Sequence, residues 1–498
     1  MASECSSLLN LPTHQNIRMD QPLQFGHLAG ATELQSARLL EVRDPGITTD
    51  LVGLIGDATP DQVAQCCEAA HRALPVWRAT PVAERASALV QLAQRLDDSA
   101  EYLAALLIRE QGMLSPVTRT ELRLAAEEVR NIIDRGVPFL QDETHAGPAS
   151  HTVIRKRPFG VVAGIVPWNA PIILTLSMLA PAVLAGNTVV IKPSELAPLG
   201  VNWLLRRVAD LFPAGVINLV NGGVEVARAL VDDPRVRKVS FTGGGSTARH
   251  VMAACARSLK DVQLELGGND PAIVLDDAPL ERTVGELAQA AFRRSGQYCF
   301  AVKRIYVSEA LHDRFLEAFC DQVDRIQVGH GSDPRSTMGP VINEAKVAHV
   351  QALAAQAAEA GARVFELGSL LESGQGPGYY LRPRVVADVP ADADIVRLEQ
   401  FGPIVPILRF RDLDDAVAQA NDTDLGLCGS VWSADREAAA QVAARIESGR
   451  IYLNAHRPTD LGHRHMPFGG LKQSGVGWSN GSHGVAAFVQ FQSVDGAL

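Results

Sequence analysis

The sequence lacks an excess of positive charge. Its 498 residues contain 46 lysines and arginines against 56 aspartates and glutamates, a formal net charge of −10. No long block of like charges occurs, so the charge pattern disfavours a nucleic-acid partner. Hydrophobic residues make up 47% and charged residues 20% of the chain, which is typical of a soluble globular protein.

Cysteine is also scarce. The seven cysteines are irregularly spaced, with no C-x-x-C pair and no spacing that would suit a set of metal ligands. This pattern fits a reducing compartment better than a disulfide framework, and it predicts no metal site.

Targeting and membrane segments are missing as well. Residues 1–24 are polar and lack the basic region and apolar core of a signal peptide. The longest apolar run, 170–186, is too short to span a membrane and contains Pro171 and Pro181. We therefore expect a cytoplasmic protein without a membrane partner. Residues 1–37 show no clear periodicity and are predicted to form an extended arm.

Strand-like and helix-like patterns alternate from residue 160 onward. A chain of this length exceeds what one core serves, so two or three domains are expected. Continuous apolar strands separated by helices predict an α/β fold with a doubly wound parallel sheet. The predicted strands are 160–166, 188–191, 216–220 and 236–241, and the predicted helices are 172–184, 198–211, 224–231 and 247–259. A second α/β cycle begins at 272–275.

Five short motifs carry the chemical information. In chain order they are 167–169 (PWN), 192–195 (KPSE), 264–268 (LELGG), 296–300 (GQYCF) and 399–403 (EQFGP). Together and in this order they resemble the aldehyde dehydrogenase superfamily, specifically its non-acylating, NAD(P)-dependent branch. The resemblance runs from about residue 38 to the C-terminus.

The resemblance implies a division into domains. An NAD-binding domain would comprise 38–146 and 160–266, and a catalytic domain would comprise 267–468. Residues 147–159 and 469–498 would form an oligomerisation flap, in which a strand at 486–494 pairs with one at 151–157. A homodimer or homotetramer is therefore expected.

Three residues are the catalytic candidates. Oxidation of an aldehyde by NAD needs a nucleophile that first adds to the carbonyl, and the thiol of Cys299 supplies it. By resemblance, the amide side chain of Asn169 and the backbone N–H of Cys299 would stabilise the oxyanion. Glu265 would be the general base for the water that cleaves the thioester. The alternatives are a buried structural cysteine, a turn asparagine and a carboxylate in a surface ion pair.

The cofactor candidates also come from the resemblance, because the usual G-x-G-x-x-G is absent. Glu399 would hold the nicotinamide ribose and Phe401 would pack near the ring, although Phe241 and Phe401 could equally be core residues. Glu195 favours NAD over NADP, since a carboxylate accepts hydrogen bonds from ribose hydroxyls and repels a 2'-phosphate. The residues expected around the adenosine diphosphate are Ile165, Trp168, Lys192, Ser194, Glu195, Gly223, Phe241, Gly243 and Gly244.

The chain departs from the family pattern at three places. Gly244 and Gly245 follow Phe-Thr-Gly where a hydroxyl residue is common. Met178 and Ser479 stand where many relatives carry a lysine and a glutamate that are thought to relay protons to the general base. Glu265 is therefore expected to work with water alone.

The substrate is predicted from the expected tunnel. Ala170 and Ser177 stand at positions that bulky aromatic side chains fill in many relatives, and Leu174 lies between them. Tyr298 and Phe300 flank the nucleophile with aromatic faces. These residues predict a medium-sized hydrophobic aldehyde, aromatic or terpenoid.

Three alternatives remain open. The first is a carboxylate-bearing semialdehyde, hydrolysed or transferred to CoA, for which the segment His456-Arg457 and His463-Arg464-His465 offers positive charge. That segment is equally a solvated loop. The others are a more remote acyl-transfer thiol hydrolase and a non-catalytic structural protein on the same scaffold.

Overall fold

The computed structural model describes residues 21–147, 150–456 and 465–497. Most of the predicted arm, residues 1–20, lies outside this range. The rest of it differs from the prediction, because residues 21–37 contain the short strands Leu23–Phe25, His27–Ala29 and Thr32–Leu34. Strands of three residues are too short to show a periodicity of two in the sequence.

An eight-stranded sheet confirms the predicted doubly wound architecture. Its five central strands are parallel and a short antiparallel strand lies against each side of them. In spatial order the strands are Gly475–Val476, Asp261–Glu265, Val236–Thr242, Val161–Val166, Thr188–Pro193, Ile217–Leu219, His27–Ala29 and Thr32–Leu34.

Helices cover both faces of this sheet. Val162 belongs to one hydrophobic cluster, whereas its neighbours Val161 and Ala163 belong to another. Alternate residues of a strand point to opposite faces, so a strand buried on both sides reads as a continuous apolar run. The helices of this part are Pro60–Ala79, Val82–Asp98, Ala100–Gln111, Ser115–Phe139, Pro171–Leu184, Leu199–Val208, Val224–Asp232 and Gly245–Ala256.

A second sheet of seven strands forms the other α/β unit. Six of its strands are parallel, and Arg363–Glu366 is antiparallel at one edge. In spatial order the strands are Arg363–Glu366, Arg384–Ala387, Ile404–Phe410, Arg304–Ser308, Pro271–Val274, Cys428–Trp432 and Arg450–Leu453. Its helices are Leu280–Phe292, His312–Asp324, Glu344–Glu359, Asp394–Arg397, Leu413–Asn421 and Arg436–Ala443.

A three-stranded antiparallel sheet lies apart from these two. Its strands are Glu143–Ala146, Ser150–Pro158 and Val489–Ala497, and Phe491 is the register partner of Lys156. The predicted pairing of the C-terminal strand with the strand near residue 151 is therefore confirmed. The strand begins later than predicted, because Gly481–Ala486 is helical.

The remaining elements are small. Leu23–Phe25, Ile47–Gly56 and Leu39–Asp44 form one sheet, and two pairs of two-residue strands complete the list: Gln327–Val328 with Ser369–Leu370, and Leu425–Gly426 with Leu471–Lys472.

The predicted domain boundaries cut through sheets at three points. His27–Ala29 and Gly475–Val476 belong to the eight-stranded sheet, although both lie outside the predicted NAD-binding ranges. Glu143–Ala146 belongs to the three-stranded sheet rather than to the NAD-binding part. Short edge strands are assigned by their hydrogen-bonding partners, which the sequence pattern does not reveal.

Candidate active site

Cys299 follows a tight turn at the end of helix Leu280–Phe292. Three consecutive residues, Arg294, Ser295 and Gly296, have left-handed backbone angles, with φ of 54°, 56° and 72°. A Cβ atom on Gly296 would lie 2.2 Å from the carbonyl oxygen of Gly402. The turn therefore requires glycine at this position, and it stores backbone strain beside the thiol.

The Cys299 side chain lies where two cavities meet. One cavity, of about 160 Å³, contains the predicted substrate residues, and the other, of about 440 Å³, contains Glu265 and part of the predicted cofactor set. Asn169 and Leu174 also line both cavities. The structure thus places the candidate nucleophile between two separate binding spaces.

Asn169 is held against the nucleophile turn. Its side chain is 6% exposed, and its Nδ2 donates to the carbonyl oxygen of Gln297 at 3.2 Å. The carbonyl oxygen of Asn169 accepts a hydrogen bond from the guanidinium of Arg294, which also forms a buried ion pair with Glu121 at 2.8 Å. These contacts fix an amide group on the same cavity wall as Cys299, as an oxyanion donor requires.

Glu265 ends strand Asp261–Glu265 and reaches the larger cavity. Burial raises the pKa of its carboxyl to about 8, and the hydrogen bond from Ser479 opposes this shift. Glu265 is therefore protonated in most molecules at neutral pH. A carboxyl group with a pKa near the working pH is suited to act as a general base.

Ser479 contacts Glu265 directly, which the expectation of water alone did not include. The Ser479 hydroxyl donates to Glu265 Oε1 at 2.8 Å and accepts from Gln263 Nε2 at 3.2 Å. Met178 makes no such contact, because its side chain is 6% exposed within an apolar cluster and its Cε fills the space beside Gly164.

We expect Ser479→Ala to move the pH dependence of the steady-state rate toward higher pH. Loss of a hydrogen bond to the charged form raises the pKa of Glu265 by roughly one unit, so the rate below that pKa falls by up to roughly tenfold. Pre-steady-state and steady-state pH profiles measure this. Ser240→Ala is the matched control, because Ser240 contacts the same Gln263 but not Glu265. If the pH dependence of the rate in Ser479→Ala equals that of wild type, the Ser479 contact has no influence on Glu265.

The thiol itself is not activated in the free protein. Burial raises the pKa of the Cys299 thiol to about 12; Lys303 opposes this shift, and the carboxyl groups of Asp270, Glu399 and Glu265 add to it. Cys299 is thus a thiol in the resting protein, whereas the reaction needs its thiolate. A base or a change in charge at the site must promote deprotonation.

Gly267 and Gly268, the glycine pair after Glu265, lie against buried carboxyl groups. A Cβ atom on Gly267 would lie 2.0 Å from Glu399 Oε2, and one on Gly268 would lie 2.2 Å from Asp270 Oδ1. The two glycines therefore make room for buried carboxylates of the protein itself.

Five predicted cofactor residues line the larger cavity: Trp168, Gly243, Gly244, Glu399 and Phe401. The rings of Trp168 and Phe401 contact each other edge to face, with centroids 5.8 Å apart. Since Phe401 faces this cavity, its interpretation as a purely structural core residue is disfavoured.

The other predicted cofactor residues lie outside the lining of either described cavity. Ile165 and Phe241 are 8% and 5% exposed and pack in a hydrophobic cluster, as the core interpretation of Phe241 requires. Lys192 is buried, and its Nζ lies 3.4 Å from Glu195 Oε2. The Ser194 hydroxyl accepts a hydrogen bond from the backbone N–H of Leu196.

Two helix N-termini provide open space beside glycine. Gly223 precedes helix Val224–Asp232 and Gly244 precedes helix Gly245–Ala256. A Cβ atom on either glycine would meet no atom within 4 Å among the described residues. Free backbone amides at a helix N-terminus suit a pyrophosphate, so the residues present fit a dinucleotide.

Sequence reasoning missed two lysines. The ammonium of Lys346, on helix Glu344–Glu359, lies 5.4 Å from the centre of the Phe401 ring and lines the larger cavity. Lys303 is 2% exposed and contacts the nucleophile turn. The one available signal for Lys303 was a cation four positions after the candidate nucleophile.

The smaller cavity has the aromatic wall that the sequence predicts. The residues that line it include Ala170, Leu174, Ser177, Tyr298, Phe300 and Phe468. Ring centroids are 5.0 Å apart between Tyr298 and Phe300, and 6.1 Å apart between Phe300 and Phe468.

His456 lines this cavity but is not a positive charge. Its side chain is 1% exposed, and burial lowers its pKa to about 3. Nε2 donates to the carbonyl oxygen of Phe300 at 3.0 Å, and Nδ1 accepts from the Ser430 hydroxyl at 2.9 Å. The cations on the cavity wall are instead Arg293, Arg294 and Arg450, and the other rim positions 457, 463 and 464 lie outside the described residues.

The comparisons with known proteins identify the family of the chain. The model of the aldehyde dehydrogenase family matches residues 32–494, so the chain belongs to that family. It is 34% identical to the NADP(+) succinate-semialdehyde dehydrogenase of Escherichia coli, over 92% of this chain and 95% of that protein. It is 35% identical to a 4-(hydroxymethyl)benzenesulfonate dehydrogenase of Comamonas testosteroni, over 90% of this chain and 93% of that protein.

A solved structure supports the fold in detail. The NAD-dependent aldehyde dehydrogenase of Sinorhizobium meliloti superposes with a TM-score of 0.91 at 30% identity, covering 98% of this chain and 97% of that one. The predicted fold class and enzyme class are thus confirmed. In the described part of the chain, no helix combines the length and apolar character that crossing a bilayer demands.

Proposed function

We propose that this protein oxidises an aldehyde to a carboxylic acid with NAD as the hydride acceptor. The observation that carries the proposal is the position of Cys299 on the shared wall of an aromatic cavity and a cavity that contains Glu265. In the first step the thiolate of Cys299 adds to the aldehyde carbonyl. The nicotinamide supplies a hydride acceptor when bound, and the product of that transfer is a thioester on Cys299.

Asn169 and Glu265 serve the remaining steps. The Asn169 amide and the backbone N–H of Cys299 donate hydrogen bonds to the oxyanion of the tetrahedral adduct. Glu265 takes a proton from the water that attacks the thioester. Because Glu265 lines the same cavity as Cys299, a base that can activate water is available, and hydrolysis is favoured over transfer to CoA.

Several residues would hold the cofactor. Glu399 would accept hydrogen bonds from the nicotinamide ribose, and Lys346 and Phe401 would bound the nicotinamide end of the larger cavity. The pyrophosphate would lie at the open helix N-termini that follow Gly223 and Gly244. Lys192 and Glu195 would meet the adenosine ribose.

NAD should be preferred over NADP. The Glu195 carboxylate, which is 41% exposed, would repel a 2'-phosphate, although the nearby Lys192 ammonium offsets part of that repulsion. We expect Glu195→Gln to raise the catalytic efficiency with NADP relative to NAD by roughly fivefold, from the loss of about 1 kcal/mol of repulsion. Glu101→Gln is the control, because that exposed carboxylate pairs with Arg119 and is not in the lining of either cavity. Equal efficiency with both cofactors in the wild-type enzyme would contradict the preference.

The proposed substrate is a medium-sized hydrophobic aldehyde, aromatic or terpenoid. The walls formed by Leu174, Tyr298, Phe300 and Phe468 bury apolar surface, which contributes about 25 cal/mol per Å². The small side chains of Ala170 and Ser177, which also line the cavity, leave width there. A flat or branched substrate fills such a space better than acetaldehyde does.

An aldehyde that carries an acidic group is the second candidate. The observation that favours it is the presence of Arg293, Arg294 and Arg450 on the cavity wall. Arg294 is already paired with Glu121. Two of the similar proteins are named for a semialdehyde and for an arene sulfonate.

A substrate panel tests the function and separates the candidates. NADH formation is followed with benzaldehyde, a branched C10 enal, acetaldehyde, succinate semialdehyde and 4-carboxybenzaldehyde, with and without CoA. We expect benzaldehyde or the enal to have the highest catalytic efficiency, and CoA to have no effect. If acetaldehyde or an acidic aldehyde exceeds both apolar compounds by roughly tenfold, a difference of about 1.4 kcal/mol, the apolar-substrate proposal is wrong.

We also propose that the three-stranded sheet is an oligomerisation surface. Phe491 and Val494 on strand Val489–Ala497 are 62% and 41% exposed, and that strand forms an edge of the sheet in the described part of the chain. Exposed apolar side chains on an edge strand favour association with a second copy. A monomer in sedimentation equilibrium would contradict this proposal.

A further inference from the structure

Lys303 connects three groups of the candidate site. Its Nζ donates to the carbonyl oxygen of Cys299 at 2.7 Å and to that of Tyr298 at 3.2 Å. The same atom lies 3.4 Å from Glu399 Oε1. Lys303 is 2% exposed, so these contacts occur in a region of low dielectric constant, where a charge acts strongly on its neighbours.

The local backbone holds this lysine in place. The N–H groups of Lys303 and Arg304 both donate to the carbonyl oxygen of Asp270, at 3.0 and 3.3 Å. Strand Arg304–Ser308 then continues in the centre of the seven-stranded sheet. Lys303 thus adjoins a central strand of the sheet, whereas Cys299 lies between the left-handed turn 294–296 and that strand.

We infer that Lys303 is a positioning residue that couples the cofactor carboxylate Glu399 to the nucleophile Cys299. One ammonium group holds both the backbone carbonyl of the nucleophile and the carboxylate that faces the cofactor cavity. The inference rests on the proposed function, since it assigns Lys303 a part in preparing that same thiol.

Among the charged groups around Cys299, Lys303 is the cation that stabilises the thiolate. The acidic groups facing the thiol are Asp270, Glu399 and Glu265, and Lys303 is the cation that opposes them. Cys428, on strand Cys428–Trp432, also faces it. A fixed positive charge favours the thiolate over the thiol, so removing it should make Cys299 harder to deprotonate.

The first test is the pH dependence of Cys299 alkylation by iodoacetamide in the full-length protein, followed by mass spectrometry of the Cys299 peptide. We expect Lys303→Met to slow alkylation at least about threefold at a given pH below the thiol pKa, equivalent to a rise of about half a pH unit. Lys303→Arg keeps the charge and should stay within about twofold of wild type. Lys303→Gln keeps a donor for the carbonyl groups without the charge, so it carries the test if Lys303→Met does not fold.

Lys238→Met is the matched control. Lys238 is also a lysine of 2% exposure paired with an acid, Asp261, but it is not in the lining of either cavity. Its alkylation profile should equal that of wild type. If both neutral Lys303 variants that fold also follow the wild-type profile, the inference is overturned.

The second test is a double-mutant cycle between Lys303→Gln and Glu399→Gln, with NAD affinity measured by fluorescence. If the two residues are coupled, the effect of the double substitution on the NAD dissociation constant should differ from the product of the two single effects by at least about threefold. Additive effects would overturn the link to the cofactor carboxylate. Neither test uses an aldehyde, so failure of the proposed reaction and failure of this inference give different results.

Discussion

Cys299→Ala should reduce dehydrogenase activity below about 1% of wild type while NAD affinity changes little, because among the described residues no other cysteine lines either cavity. The thiol lies on the wall shared by the two cavities, and the expected oxyanion donor Asn169 lies on that same wall. Loss of the thiol removes the bond-forming atom and leaves most of the dinucleotide contacts intact. NADH formation with the best aldehyde of the panel and NAD binding by fluorescence measure the two effects.

Cys320→Ala is the matched control for this change. Cys320 is half-buried like Cys299, but it belongs to helix His312–Asp324 and is not in the lining of either cavity. Its variant should retain the wild-type rate. If Cys299→Ala retains far more than about 1% of the wild-type activity, the thiol is not the nucleophile.

Glu265→Gln should slow steady-state turnover by about 10²-fold, which is the usual contribution of a positioned base. The glutamine is nearly isosteric, so the Ser479 contact and the shape of the cavity are preserved. If Glu265 acts mainly on the attacking water, the thioester still forms and a burst of NADH survives. Rapid-mixing experiments separate that burst from the slow steady state.

The pH dependence of the steady-state rate tests the role of Glu265 independently. The pKa of Glu265 is raised to about 8, so the basic form is scarce at neutral pH and increases as the pH rises. The wild-type steady-state rate should therefore increase about tenfold per pH unit below that pKa and level off above it. In Glu265→Gln the rate should no longer rise with pH in this range.

Glu110→Gln is the control for a buried carboxyl group. Burial also raises the pKa of Glu110 to about 8, but its carboxylate accepts hydrogen bonds from the N–H groups of Leu199 and Gly200 and is not in the lining of either cavity. The steady-state rate of Glu110→Gln should rise with pH as in wild type, even if this variant unfolds at a lower temperature. Unchanged kinetics in Glu265→Gln would refute the role of base.

The sequence predicted the fold well wherever local patterns were strong. The strand Val161–Val166 and the helix Pro171–Leu184 begin and end within one residue of the predicted ranges, because apolar runs and helix-start prolines are local signals. The short edge strands were not predicted from the sequence, and the predicted domain ranges divide sheets that the structure forms. Those features depend on which distant segment supplies the hydrogen-bonding partner.

The same division holds at the candidate site. The motifs around Cys299, Glu265, Asn169 and Glu399 are local, and the sequence by itself determined them together with the family they resemble. Only the tertiary structure decided that Ser479 contacts Glu265 across 214 positions of chain. It also decided that Glu399 fills the space beside Gly267 and that burial keeps His456 neutral. The physical reason is that a residue's identity is written in the chain, whereas its pKa and hydrogen-bonding partners arise from burial among groups remote in sequence.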